Sequence, residues 1–164
     1  MRSIRMVKIE GPRFLLTSTL LLAGRQWRRL AQQVLVELDI SEACAATLIW
    51  ARRLGGGARQ VTLAGYVGIR CTSIVRLLDE LSAIGLIERR SDPDDRRANL
   101  VWLTPAGEQL AERIEAALSE LRERVLGAVS DADVEAALRV FAALDRADGQ
   151  PRAVAALLLS ELTR

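Results

Sequence analysis

Four arginines, Arg89, Arg90, Arg96 and Arg97, crowd the segment LIERRSDPDDRRANLVWL (86–103), and two more, Arg70 and Arg76, bracket the run Cys71-Thr72-Ser73. A guanidinium is planar, permanently charged and forked, which suits two-point contact with phosphate oxygens. The short hydroxyls of Thr72 and Ser73 suit the edges of bases. This chemistry recognises a polyanion and breaks no bond. Catalysis lacks its usual parts, because the chain has no histidine and no nucleophile–base pair can be assembled. Glu108, Glu112 and Glu115 recur at helical spacing, as a solvated outer face would. No enzyme and no cofactor are expected. Cys44 and Cys71 have no CxxC spacing, which argues against a zinc site and fits a reducing cytoplasm. Cys71 sits beside Arg70 at a helix start, where the thiolate is favoured, and is therefore a candidate redox sensor. Cys44 falls on an apolar helix and reads as core.

The charge distribution agrees with a polyanionic partner. The net charge is only +2, but residues 1–98 carry 16 Lys+Arg against 10 Asp+Glu, whereas residues 99–164 carry 7 against 11. Nearly all the cations are arginine. A chain of 164 residues that is 50% hydrophobic can build one compact domain with helical extensions.

These side chains need elements to hold them. Arg2, Arg5 and Lys8 before FLLTSTLLLA (14–23) resemble the start of a signal peptide. Gly11 and Pro12 interrupt that pattern, and apolar residues continue at Leu16, Leu20, Ala23, Trp27, Leu30, Val34 and Leu38. Steps of three and four predict one amphipathic helix over 12–38. No run reaches the ~20 apolar residues of a membrane span. Ser41 is an N-cap for a second helix, which ends at LGGGA (54–58). With no preceding strand and no Lys-Ser/Thr pair, this run reads as a linker and not a phosphate loop.

A short helix over 62–67, a turn at Gly68 and a helix over 71–84 follow, with Ala64 at the crossing and Val67, Ile69, Ile74, Leu77, Leu78 and Leu81 as their shared core. Gly85 closes the second helix. Residues 86–91 and 98–103 have β-character around a turn built from Pro93 and the aspartates. Thr104-Pro105 starts a helix through Leu110, Ile114, Leu118, Leu121 and Val125, and Ser130 caps another with Val134, Leu138, Phe141 and Leu144. DGQP (148–151) breaks it before a last amphipathic piece, 152–163. The expected fold is mainly α with a small β-hairpin wing: scaffold helices in 12–53, a helix–turn–helix and wing in 58–104, and C-terminal helices in 105–164.

The segments LAGYVGI (63–69), IVRLLDELSAIGLIERR (74–90) and DRRANLVWLTPAG (95–107) resemble the MarR family of winged helix–turn–helix transcriptional regulators. The family's wing pattern of Asp, any residue, Arg, five residues, then Leu-Thr and a Gly is matched by Asp95, Arg97, Leu103-Thr104 and Gly107. The resemblance implies a homodimer of sequence-specific DNA-binding lobes on a pseudo-palindromic operator, most simply a ligand- or stress-responsive repressor in the cytoplasm. The implied DNA contacts are Arg70, Cys71, Thr72, Ser73 and Arg76 in the major groove, with Arg89, Arg90, Arg96 and Arg97 from the wing. Arg97 would enter the minor groove, and Asp95 would brace the wing through an ion pair with arginine. The terminal helices would form the dimer, which agrees with apolar stripes that would otherwise lie exposed. A small aromatic or phenolic effector is implied against Trp27 and Trp50, with Arg53 as its anion partner; core packing is the plainer reading of both tryptophans. Many relatives carry glycine, proline or serine where Cys71-Thr72 sit, so base preference does not transfer. The rival function is a winged-helix protein–protein module whose basic wing meets an acidic partner.

Overall fold

The computed structural model describes residues 11–93, 95 and 98–147. The three- and four-residue apolar spacing forms α1 (Gly11–Val36), and Ser41, whose hydroxyl accepts from the Cys44 amide, starts α2 (Glu42–Arg53). A two-residue strand β1 (Ala58–Arg59) precedes α3 (Gln60–Val67) and α4 (Cys71–Ala83). Strands β2 (Ile87–Ser91) and β3 (Asn99–Leu103) follow, then α5 (Pro105–Leu126) and α6 (Asp131–Ala147). Thr104 caps α5 by accepting from the Gly107 amide. The expected helix over 152–163 lies outside the described residues.

The sheet has three strands, one more than the expected hairpin. In the order β1-β3-β2, all antiparallel, Ala58 stands opposite Val101, and Ile87 opposite Leu103. The glycine run before β1 is a packed turn and not a slack linker. Gly56 and Gly57 have φ of 82° and 67°, and a side chain at either would run into the Trp102 ring. Only glycine meets both demands.

One core joins these elements. Leu35, Leu48, Leu63, Ile74, Leu78, Leu81, Val101, Ile114 and Leu121 are fully or almost fully buried, each contributing about 1.5–3 kcal/mol of transfer free energy. Ala64 is buried as a helix crossing requires, while Val67, Ile69 and Leu77 pack half-buried at the edge. The outer ends of the molecule differ from this centre. Phe14, Leu21 and Leu22 on α1 are 53%, 67% and 57% exposed, and Phe141 and Leu144 on α6 are also exposed. No single described helix is long and apolar enough to cross a membrane.

Candidate nucleic-acid interface

Between α3 and α4 the chain turns at Gly68, which adopts φ 76°, and the helix axes diverge by 104°. That is the crossing of a helix–turn–helix. Ile74, Leu78 and Leu81 bury one side of α4, leaving Arg70, Cys71, Thr72, Ser73 and Arg76 exposed together at its N-terminal end. Arg70, the N-cap, makes no side-chain capping bond, and the first turn holds no acid. Backbone N–H groups and the positive helix end are therefore available to an anion. Cys71 is exposed and Cys44 buried.

The arginines divide by partner. Arg76 projects into solvent and donates to Glu80 at 3.0 Å along its own helix. Arg89 instead folds back onto α4, where its Nη2 donates to Asp79 Oδ1 at 2.7 Å and the Val75 carbonyl at 3.3 Å. It ties β2 to α4. Arg90 lies over the Trp102 ring, 4.9 Å from the centroid, and pairs with Glu88. Arg96, Arg97 and Asp94 lie outside the described residues. The Asp95 carbonyl accepts from the Ala98 amide at 2.8 Å, so its backbone closes the turn.

Sequence reasoning missed the ion pair at the root of this wing. Arg59, from β1, donates to Asp92, whose side chain is only 5% exposed. It also missed the pairing of Glu108, Glu112 and Glu115, of which the first two are exposed as expected and Glu115 is mostly covered. All three accept from Arg52, at 3.0, 2.7 and 2.8 Å, and Glu115 also accepts from Arg53 at 2.9 Å. Together they clamp α2 to α5. Periodicity alone could not identify the opposing helix. Hydrogen bonds to Glu108 and then Glu115 hold the Arg52 pKa above the ordinary guanidinium value. Burial pushes Glu115 upward, but the hydrogen bonds from Arg53 and Arg52 prevail and leave its pKa lowered.

Of the residues considered for an effector, Trp50 stacks on Tyr66 with centroids 4.8 Å apart, and Arg53 stands 5.7 Å over the Trp50 ring. Trp27, half-buried on α1, packs against the core. Arg53 is already engaged by Glu115, so an effector anion would have to share it.

A helix–turn–helix, a three-stranded winged sheet and an exposed basic end of the second helix define a winged helix–turn–helix protein. Residues 40–98, from just before α2 to the residue preceding β3, match the model of the MarR family. CouR from Rhodococcus jostii, solved bound to p-coumaroyl-CoA, is similar at 25% identity over 82% of this chain and 92% of that one, with a TM-score of 0.71. The same fold is seen in a mutant of MarR from E. coli complexed with operator DNA, at 22% identity, 84% and 99% coverage and a TM-score of 0.71. BpsR from Bordetella bronchiseptica, whose DNA binding is regulated by 6-hydroxynicotinic acid, shares the fold at 22% identity, 80% and 98% coverage and a TM-score of 0.69.

Proposed function

We propose that this chain is a DNA-binding transcriptional regulator that acts as a homodimer on a pseudo-palindromic operator. The observation that carries the reading is the exposed end of α4. There Arg70, Thr72, Ser73 and Arg76 stand together on a helix whose opposite side is locked into the core. That end enters a major groove, and the wing carries Arg90, Arg96 and Arg97 to the neighbouring minor groove. Arg89 acts one step removed, holding the wing at its angle to α4. Two copies place their α4 helices about one helical turn apart on the duplex.

The output is repression, and an anionic aromatic effector releases DNA. The effector part of this reading is supported by CouR, solved bound to p-coumaroyl-CoA, and by BpsR, whose DNA binding is regulated by 6-hydroxynicotinic acid. Trp50, Tyr66 and Arg53 supply a flat apolar wall and a cation for such a ligand. The Arg52 clamp ties that wall to α5, so a ligand that shifts α2 also shifts α5, the helix that leads into the C-terminal helix. The chain works by binding, in the cytoplasm, without catalysis.

Selection of bound sequences from a random duplex pool tests this reading. Recovery of an inverted repeat supports both the DNA target and the two-fold assembly. Failure to retain any duplex at low ionic strength overturns it.

A further inference from the structure

Trp27 and Trp50 pack against the main core, but Trp102 stands on the other face of the wing sheet. Side chains alternate along a strand, and fully buried Val101 marks the core face of β3. Trp102 therefore points outward, with Glu88 directly opposite on β2 and Arg90 on the diagonal. Backbone grips the ring from one side. The ring atoms nearest a Cβ on Gly56 are Cδ2, Cε3 and Cζ3, and those nearest one on Gly57 are Cε2, Cζ2 and Cη2. The two glycines thus cover the whole six-membered ring and leave no room for a guanidinium on their side. Arg90 lies over the ring, 4.9 Å from its centroid. The indole Nε1 is buried and meets no acceptor among the described residues, so packing alone holds the ring.

Resting on the DNA-binding reading above, we infer that Trp102 is a positioning residue for DNA binding, a fixed platform that aims the Arg90 guanidinium at the duplex. Three observations meet here. The platform cannot shift toward the glycines, because their backbone already touches it. The Arg90 side chain remains 56% exposed, so it is held without being consumed. A ring beneath a guanidinium also takes none of its five N–H donors, which stay available to an anion. Glu88, the other partner of Arg90, does compete for those donors, but it is 46% exposed. An ion pair so solvated is weak and yields to phosphate. An unsupported arginine would lose its rotamer freedom on meeting DNA, and the stack removes that freedom beforehand. The positive-φ glycines thereby acquire a role in binding, since they fix the ring that fixes the arginine.

A double-mutant cycle, read as affinity for a duplex recovered from the random pool, tests the route. Trp102→Leu should weaken binding about two- to fivefold, the range of an exposed cation–π contact. Trp102→Phe keeps an aromatic face, loses no hydrogen bond and should recover most of that loss. In the Arg90→Ala background, Trp102→Leu should cause no further loss. Equal losses in both backgrounds would show that the ring does not act through Arg90, and undiminished binding by Trp102→Leu would overturn the inference as well. If circular dichroism shows that leucine prevents folding, Trp102→Met, whose flexible thioether fills irregular space, takes its place in the cycle. The unaltered protein gives an independent reading by NMR. The Trp102 ring current should move the Arg90 side-chain protons upfield, and the displacement should persist when duplex is added. Its disappearance on binding overturns the inference. A wild-type chain that retains no duplex overturns the DNA-binding reading itself, whereas binding with an uncoupled cycle overturns only the role of Trp102.

Discussion

The Nη2 of Arg59 lies 2.7 Å from Oδ2 of Asp92, joining the shortest strand of the sheet to the root of the wing. The two ends are unequally solvated: the Arg59 side chain is about half exposed, and that of Asp92 is almost entirely buried. The next links in the wing continue from Asp92, whose amide donates to the Ala98 carbonyl at 3.0 Å. The pair thus anchors the point at which the chain leaves β2.

Removing the exposed partner should hurt more than its exposure suggests, because a buried carboxylate loses its guanidinium. Arg59→Ala is expected to cost about 1–3 kcal/mol, read as a lower urea midpoint. Asp92→Asn keeps the shape and removes the charge, so its loss should be the smaller of the two. Both should weaken duplex binding by more than their stability loss predicts at temperatures where the protein remains folded.

The helices could be read from the sequence because their signals are local. Ser41, Thr104 and Ser130 cap the helices that follow them, and Gly68 turns where its position implied. What escaped was non-local. Strand β1 is two residues long and exists because Ala58 and Arg59 find Val101 and Leu100 across the sheet. The glycines at 55–57 looked like slack chain until the Trp102 ring was seen against two of them. The charge of Arg89 suggests a DNA contact but does not reveal direction. Its inward turn depends on Asp79, ten residues earlier on another element. The Arg52 clamp had the same origin: three glutamates on one face of α5 show no partner until α2 is placed beside them.

Stability should fall on acidification through Glu115. Its folded pKa lies below the ordinary 4.5, so its contribution is fully present above that value. The contribution is lost as pH falls below 4.5 and through the folded value. Urea midpoints between neutral pH and pH 3 should show this decline, and Glu115→Gln should reduce its slope while lowering stability near neutrality. Equal slopes in the two proteins would show that the α2–α5 clamp is not coupled to folding.

At Gly107 the constraint is space. A Cβ there would overlap the Leu86 carbonyl oxygen, which already accepts from the Thr104 amide at 3.1 Å. The first turn of α5 therefore rests directly on the chain entering β2. Gly107→Ala should cost about 1–3 kcal/mol by overpacking, although alanine is the better helix former. A thermal midpoint equal to that of the unaltered chain would refute the close contact.

Arg76 and Arg89 should separate cleanly as variants, although both are cations near the same helix. The Arg76 side chain is 86% exposed and its pairing with Glu80 spans one helical turn, an arrangement worth about 0–1 kcal/mol. Arg76→Ala should leave the thermal midpoint nearly unchanged and weaken duplex binding. Its plot of log affinity against log salt should flatten by about one for the lost phosphate contact. Arg97→Ala should behave likewise. Arg89→Ala removes the tie from β2 to Asp79 and Val75, so it should lower stability and affinity together while keeping the salt slope. If Arg89→Ala flattens the slope as Arg76→Ala does, Arg89 turns outward on DNA, and the inward tie is not its bound position.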